Sequence, residues 1–343
     1  MSEEGKGEEE VTPPQEDDNV SADQSLETQW EGCIPIQVTL APTSISSPTI
    51  PPSIHALVPR NSYLHVGLQQ VVHRLHPFAP VMTISTGFQA QGLLQVTEPD
   101  AGAEGGDKDD GDEPQGPSAV TTGSENRESL EAVYPPCWFQ DTDTELPLKW
   151  HLPISVLFDT RRDRSIPWRL LLHFTNYPAE ILPFDSTQQI FQHSLKQALT
   201  ITTGLTKKTA MQLNKESHQR LWQAIVTADY SMFRRVDLPR SPSAAIAVRL
   251  VVADDRTIST IQHHVPIIDS AVDHHKSVAL SALLREWLPV EESTEDAKTT
   301  LPRRIVRICG VEMEEEMLRV PMERLWRYCR SADQFLYVVV VLQ

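Results

Sequence analysis

Two histidine pairs, His263-His264 and His274-His275, and four cysteines, Cys33, Cys137, Cys309 and Cys329, are the side chains whose types suggest metal or thiol chemistry. Their spacing supports neither. Adjacent side chains on a strand point to opposite faces, so a neighbouring pair does not close around one ion, and no carboxylate or cysteine framework accompanies the histidines. They read as surface loop histidines. The cysteines are far apart, without CxxC or zinc-like spacing, and suit a reducing compartment as small buried residues. A nucleophilic thiol would need a histidine folded beside it. The sequence contains no GxSxG, glycine-rich phosphate loop, HExxH or kinase motif. No catalytic residue, metal or cofactor is expected.

The 343-residue chain carries a net charge of -17, and that charge is concentrated. Residues 1–28 hold ten acids against Lys6, and residues 98–131 hold eleven against Lys108 and Arg127, so each tract is near -9 and the remainder near +1. Both tracts have almost none of the large apolar side chains that would offset the entropy of ordering, and they are expected to be a disordered acidic tail and a disordered insertion. A near-neutral folded part argues against nucleic acid, whose phosphates demand a basic surface. The N-terminus is too acidic for a targeting peptide and no apolar run reaches the length of a membrane span, so a cytoplasmic location is expected.

What positions any functional group is a pattern that occurs twice. Ile34, Ile36, Val38 and Leu40 alternate as in a half-buried strand, after the aromatic anchor Trp30. An extended segment near Leu57 to Leu64 follows. Leu68, Val71, Val72 and Leu75 then form one stripe of a helix over Val66 to Leu75. Strands are expected at Cys137 to Gln140, Leu146 to Trp150 and Trp168 to Phe174. The second copy alternates Ile246, Val248, Leu250 and Val252 and extends from Thr257 to Val265. Its helix follows Ser277 as N-cap, with Leu280, Leu283, Leu284 and Trp287 in one stripe. Strands return at Arg304 to Cys309 and Phe335 to Leu342, around a short helix from Pro321 to Cys329. Between the copies, Ser186 and Gln189 open a helix as a capping box. Leu221, Trp222 and Ile225 mark a second helix, and Tyr230, Phe233 and Val236 a third, closed by Pro239 and Pro242. A hairpin followed by a helix across a small mixed sheet is the β-grasp arrangement of ubiquitin, although other α+β folds fit the same string.

The segments Leu57 to Leu64, Pro147 to Ile154 with Phe158-Asp159, Pro167-Trp168 with His173-Phe174, Leu221-Trp222, Gly310-Val311 and Phe335 to Leu342 resemble the autophagy-related protein 5 family, in order, from about Trp30 to Gln343. The resemblance implies an α+β fold of two ubiquitin-like β-grasp domains, at residues 29–182 (interrupted by the insertion) and 243–343, flanking a helix-rich domain at 183–242. It further implies a scaffold without its own active site, joined by an isopeptide bond to the ubiquitin-like autophagy-related protein 12. The helix of the coiled-coil autophagy-related protein 16 docks on it. The complex acts like an E3 ligase, promoting transfer of the ubiquitin-like protein 8 from its E2 to a lipid of the growing autophagosomal membrane. Localisation would then be cytoplasmic and peripheral on that membrane. The ending Val341, Leu342, Gln343 lacks the terminal glycine of a transferable modifier, so the chain is expected to receive and not to be transferred. The alternative is a ubiquitin-like adaptor that is never conjugated.

The family's acceptor lysine lies five residues after a phenylalanine in the first helix of the helical domain, which Phe191 and Lys196 reproduce. At about 100° per residue, Phe191, Leu195, Ala198 and Leu199 form one stripe and Lys196 falls away from its centre, toward solvent. Its helical neighbours Gln192, His193, Leu199 and Thr200 include no carboxylate that would hold the amine protonated. Lys207 and Lys208 are its competitors, because two residues are inserted between Lys196 and Trp222 relative to the family. Trp150, Trp222 and Trp326, one from each domain, are candidates either to line a groove for the partner helix or to fill cores. The acidic tail and insertion depart from the family pattern, and would be repelled by anionic lipid.

Overall fold

The computed structural model describes residues 15–80, 137–181, 186–204, 213–267, 278–288 and 304–342, with side chains from residue 20 onward. The expected insertion at 98–131, the pair His274-His275, Ser277, Lys207 and Lys208 lie outside the described residues.

The alternating segment forms strand β1, Cys33–Leu40, whose Ile34, Ile36, Val38 and Leu40 are buried while the intervening residues are exposed or half-covered. It pairs antiparallel with β2, Ile54–Pro59, and parallel with β4, Trp168–His173. Strand β3, Trp138–Asp141, completes the order β2-β1-β4-β3. The predicted stripe Leu68, Val71, Val72 and Leu75 is buried against this sheet, but its helix is two pieces, α2 (Leu64–Gly67) and α3 (Gln69–Leu75), broken at Leu68 with φ -104° and ψ 12°. Gly67 lies so close to β2 that a Cβ there would sit 2.2 Å from Cγ1 of Val58. One expectation fails after β3. Leu146 to Trp150 makes only a single bridge, Gln140 to Pro147, because proline brings no N–H to a ladder. The segment beyond it coils into α4, Ile154–Asp159.

The second copy has the order β6-β5-β9-β7-β8, built from β5 (Ala245–Ala253), β6 (Ile258–Pro266), β7 (Arg304–Ile308), β8 (Val311–Glu312) and β9 (Leu336–Leu342). As in the first, the opening strand is central, antiparallel to the second strand and parallel to the last. Helix α8, Leu280–Trp287, starts at Ala279 with no side-chain cap, and α9, Met322–Cys329, is led in by Pro321. Both sheets are β-grasp sheets.

Residue parity shows where the second sheet sits. Ile246, Val248, Leu250, Leu336, Val338 and Val340 pack with α8 and α9. The opposite face, with Ala247, Val251, Tyr337, Val339 and Val341, joins the core of the first domain together with Leu157 and Phe158 of α4. Strand β9 is therefore covered on both sides, which requires a continuous apolar run in place of alternation.

Between the two sheets run α5 (Thr187–Thr203), α6 (Lys215–Thr227) and α7 (Tyr230–Arg234). Ser186 caps α5 by accepting the Gln189 N–H, Asn214 caps α6 and Asp229 caps α7. Phe191, Leu195, Leu221, Ile225, Tyr230 and Phe233 form their shared core. The expected disordered tail over 1–28 is overturned for its C-terminal half: Gln15–Glu31 is a helix, α1. Its Leu26 and Trp30 enter the helical core, with the Trp30 ring 4.8 Å from Phe233. Its polar side reaches α9, where Gln29 Nε2 donates to the Tyr328 carbonyl at 2.7 Å.

Candidate functional site

Helix α5 turns Phe191, Leu195, Ala198 and Leu199 inward and leaves His193, Lys196 and Gln197 exposed. Lys196 thus sits in water on a rigid element, and no described carboxylate forms an ion pair with it. The helix is fixed from behind. Arg249 of β5 donates to the Gln197 side-chain oxygen at 3.5 Å, pairs with Asp333 at 3.2 Å and donates to the Tyr337 hydroxyl at 2.8 Å. Its guanidinium lies 3.9 Å above the Phe335 ring. Tyr337 donates in turn to Asp333 at 2.8 Å, and burial raises its phenol above the usual range, so it stays protonated. The exposed amine is therefore carried by a helix tied to the second sheet, while the amine itself is left out of that network.

The other expected groups fall as follows. His263 and His264 lie in strand β6 and not in a loop. His263 is stacked on Trp287 of α8 at 4.0 Å and 11°, and its burial lowers its pKa, while His264 on the opposite face is exposed. Among the described residues no group of three His, Cys, Asp or Glu side chains could hold a metal ion. Of the cysteines only Cys137 is fully buried, which pushes its thiol up to about 12. Cys33 is exposed, and Cys309 and Cys329 are half-buried.

Trp150 and Trp326 are core residues, 2% and 0% exposed, so they do not line a groove. Trp326 donates its indole N–H to the Gln334 carbonyl. Only Trp222 reaches the surface, half-buried and 6.0 Å from the Phe191 ring. The surface instead holds a cleft of about 520 Å³, lined by polar and aliphatic side chains, between the edge strand β2, helices α2 and α3, and Val226 of α6. Leu57 and Val226 on its walls are 69% and 43% exposed. Sequence reasoning missed this cleft, although Leu57 on an edge strand outside the buried register was a visible signal.

Two ubiquitin-like folds flanking a three-helix region define a class of multi-domain ubiquitin-like proteins, and no helix among the described residues is long and apolar enough to cross a membrane. Residues 29–91 and 124–174 match the family description "Autophagy protein ATG5, UblA domain", residues 185–238 its "alpha-helical bundle region" and residues 245–340 its "UblB domain". "Autophagy protein 5" of Phaeosphaeria nodorum is 31% identical over 240 residues, spanning 57% of this chain and 74% of that protein. Its counterpart from Penicillium rubens is 25% identical over 242 residues, spanning 59% and 75%. The crystal structure of Kluyveromyces marxianus Atg5 superposes with a TM-score of 0.61 at 21% identity, covering 92% of this chain and 99% of that one, and so shares its fold. This chain belongs to the autophagy protein 5 family.

Proposed function

We propose that this autophagy protein is the covalent acceptor of the ubiquitin-like autophagy-related protein 12, and that Lys196 is the acceptor. The observation that carries the reading is an exposed amine on α5 with no described carboxylate paired to it. In the reaction the neutral Nζ attacks the carbonyl carbon of the partner's C-terminal thioester. A C–N bond forms, the C–S bond breaks, the thiolate leaves, and the amine gives up a proton to solvent or to a base of the E2. The energy comes from the thioester, so this chain contributes position and no catalytic group. Lys196→Arg keeps charge and helix propensity; it is expected to abolish the larger, reductant-resistant species on a denaturing gel while leaving stability within about 0.5 kcal/mol. Persistence of that species in the variant overturns the assignment.

The helix of autophagy-related protein 16 is assigned to the cleft beside β2, where Leu57 and Val226 offer apolar anchors of the kind an amphipathic helix uses. Leu57→Asp is expected to weaken that helix at least about tenfold. Unchanged affinity places the helix elsewhere. The resulting complex would act as an E3-like scaffold for the E2 of the protein 8 lipidation pathway, in the cytoplasm and peripherally on the growing autophagosomal membrane.

A further inference from the structure

Two of the four cysteines meet at a junction of three elements. Cys309 occupies the turn between β7 and β8 with φ 51°, followed by Gly310 at φ 84°. The side chain of Arg60 fills the space beside Gly310, where a Cβ would lie 2.7 Å from its Nη2, and Arg164 donates to the Gly310 carbonyl. That turn aims the Cys309 sulfur at the end of α9: Sγ is 3.1 Å from the carbonyl oxygen of Cys329 and 3.2 Å from Oε1 of Gln29 on α1. Cys309 and Cys329 are thereby in direct contact at the end of α9. Cys33, exposed at the start of β1, and Cys137, in the first core, belong to other parts of the fold.

We propose that Cys309 and Cys329 are an oxidisable dithiol, a modification site that closes to an intrachain disulfide under peroxide and reopens with a reducing dithiol. The neighbouring Cys309 holds the Cys329 thiol below its usual value, which makes Cys329 the attacking thiolate. Its sulfur attacks hydrogen peroxide: an S–O bond forms, the O–O bond breaks, and the departing hydroxide takes a proton to leave as water. The Cys309 thiol, which Cys329 and its own burial hold well above the usual range, then attacks the Cys329 sulfur as its proton passes to the leaving hydroxide. An S–S bond forms, the S–O bond breaks, and that hydroxide leaves with the proton as a second water. Two thiols and one peroxide thus give one disulfide and two waters. Closure also removes the S–H that Gln29 accepts, so α1 loses one of the contacts that seat it on α9.

The full chain, reduced, desalted and treated with equimolar hydrogen peroxide, is read by intact mass and by a non-reducing peptide map. Expected are the loss of two hydrogens, a peptide pair linking Cys309 to Cys329, full alkylation of Cys33 and complete reversal by dithiothreitol. Cys309→Ser is expected to stop at a sulfenic or over-oxidised Cys329 with no linked pair. Separate oxidation of Cys309 and Cys329 in the unsubstituted chain, or a link made instead to Cys33, overturns the proposal, and neither readout depends on a variant folding.

Discussion

The two ubiquitin-like domains share one topology and differ in how many faces their sheets bury. In the first, β1 hides Ile34, Ile36, Val38 and Leu40 and leaves Pro35, Gln37 and Thr39 half-covered. In the second, β9 buries every residue from Leu336 to Val341. The same fold thus serves once as a domain with one core and once as a partition between two cores. The partition is also held by charge. Arg307, on β7, is 2% exposed and donates to the carbonyls of Asp159 at 2.8 Å and Arg162 at 3.3 Å, and to that of Arg161, all in the segment around the end of α4. Nearby, Arg60 pairs with Asp159 at 3.3 Å.

The largest test of this contrast is Arg307→Ala, which strands several carbonyls at the seam. We expect a loss of about 3 to 5 kcal/mol in urea unfolding, since truncating one partner of a buried charged network leaves the others unsatisfied. A loss below about 1 kcal/mol would mean that the two domains do not depend on this seam. Parity offers the next test. Val339→Ala, on the second sheet's outer face, should cost about 2 kcal/mol, whereas Thr39→Ala, on the outer face of β1, should cost no more than about 0.5 kcal/mol. Equal costs would erase the distinction between the sheets.

A third test is in acid. Burial lowers His65, His151 and His173, all in the first domain, from 6.5 to about 4. These histidines are held neutral in the fold, so their contribution is complete above pH 6.5 and is lost as pH falls toward 4. Amide protection in β1 and β4 should therefore fall before that in β5 and β9 over this window. Simultaneous loss would show that the two sheets open as one unit.

How much of this was readable depended on whether the signal was local. The alternation in β1, the Ser186 cap and the stripe facing away from Lys196 each lie within one element and were legible from spacing. Helix α1 was not, because the acidic run up to Asp18 hid Ala22, Leu26 and Trp30, spaced four apart and all buried. Tryptophan type alone does not separate the buried Trp150 and Trp326 from the half-exposed Trp222, since burial depends on what folds over each ring. The run of valines in β9 announces a buried strand without saying that its second face meets another domain. Cys309 and Cys329 are twenty residues apart, and only the left-handed turn at Cys309 brings them together.

Helix α1 has a practical consequence. Because Leu26 and Trp30 plug the underside of the bundle that carries Lys196, an expression boundary drawn at the start of β1 would uncover a greasy patch on that bundle. The stretch that looks most dispensable by its acidity is the cork that keeps the apolar side of this bundle out of water.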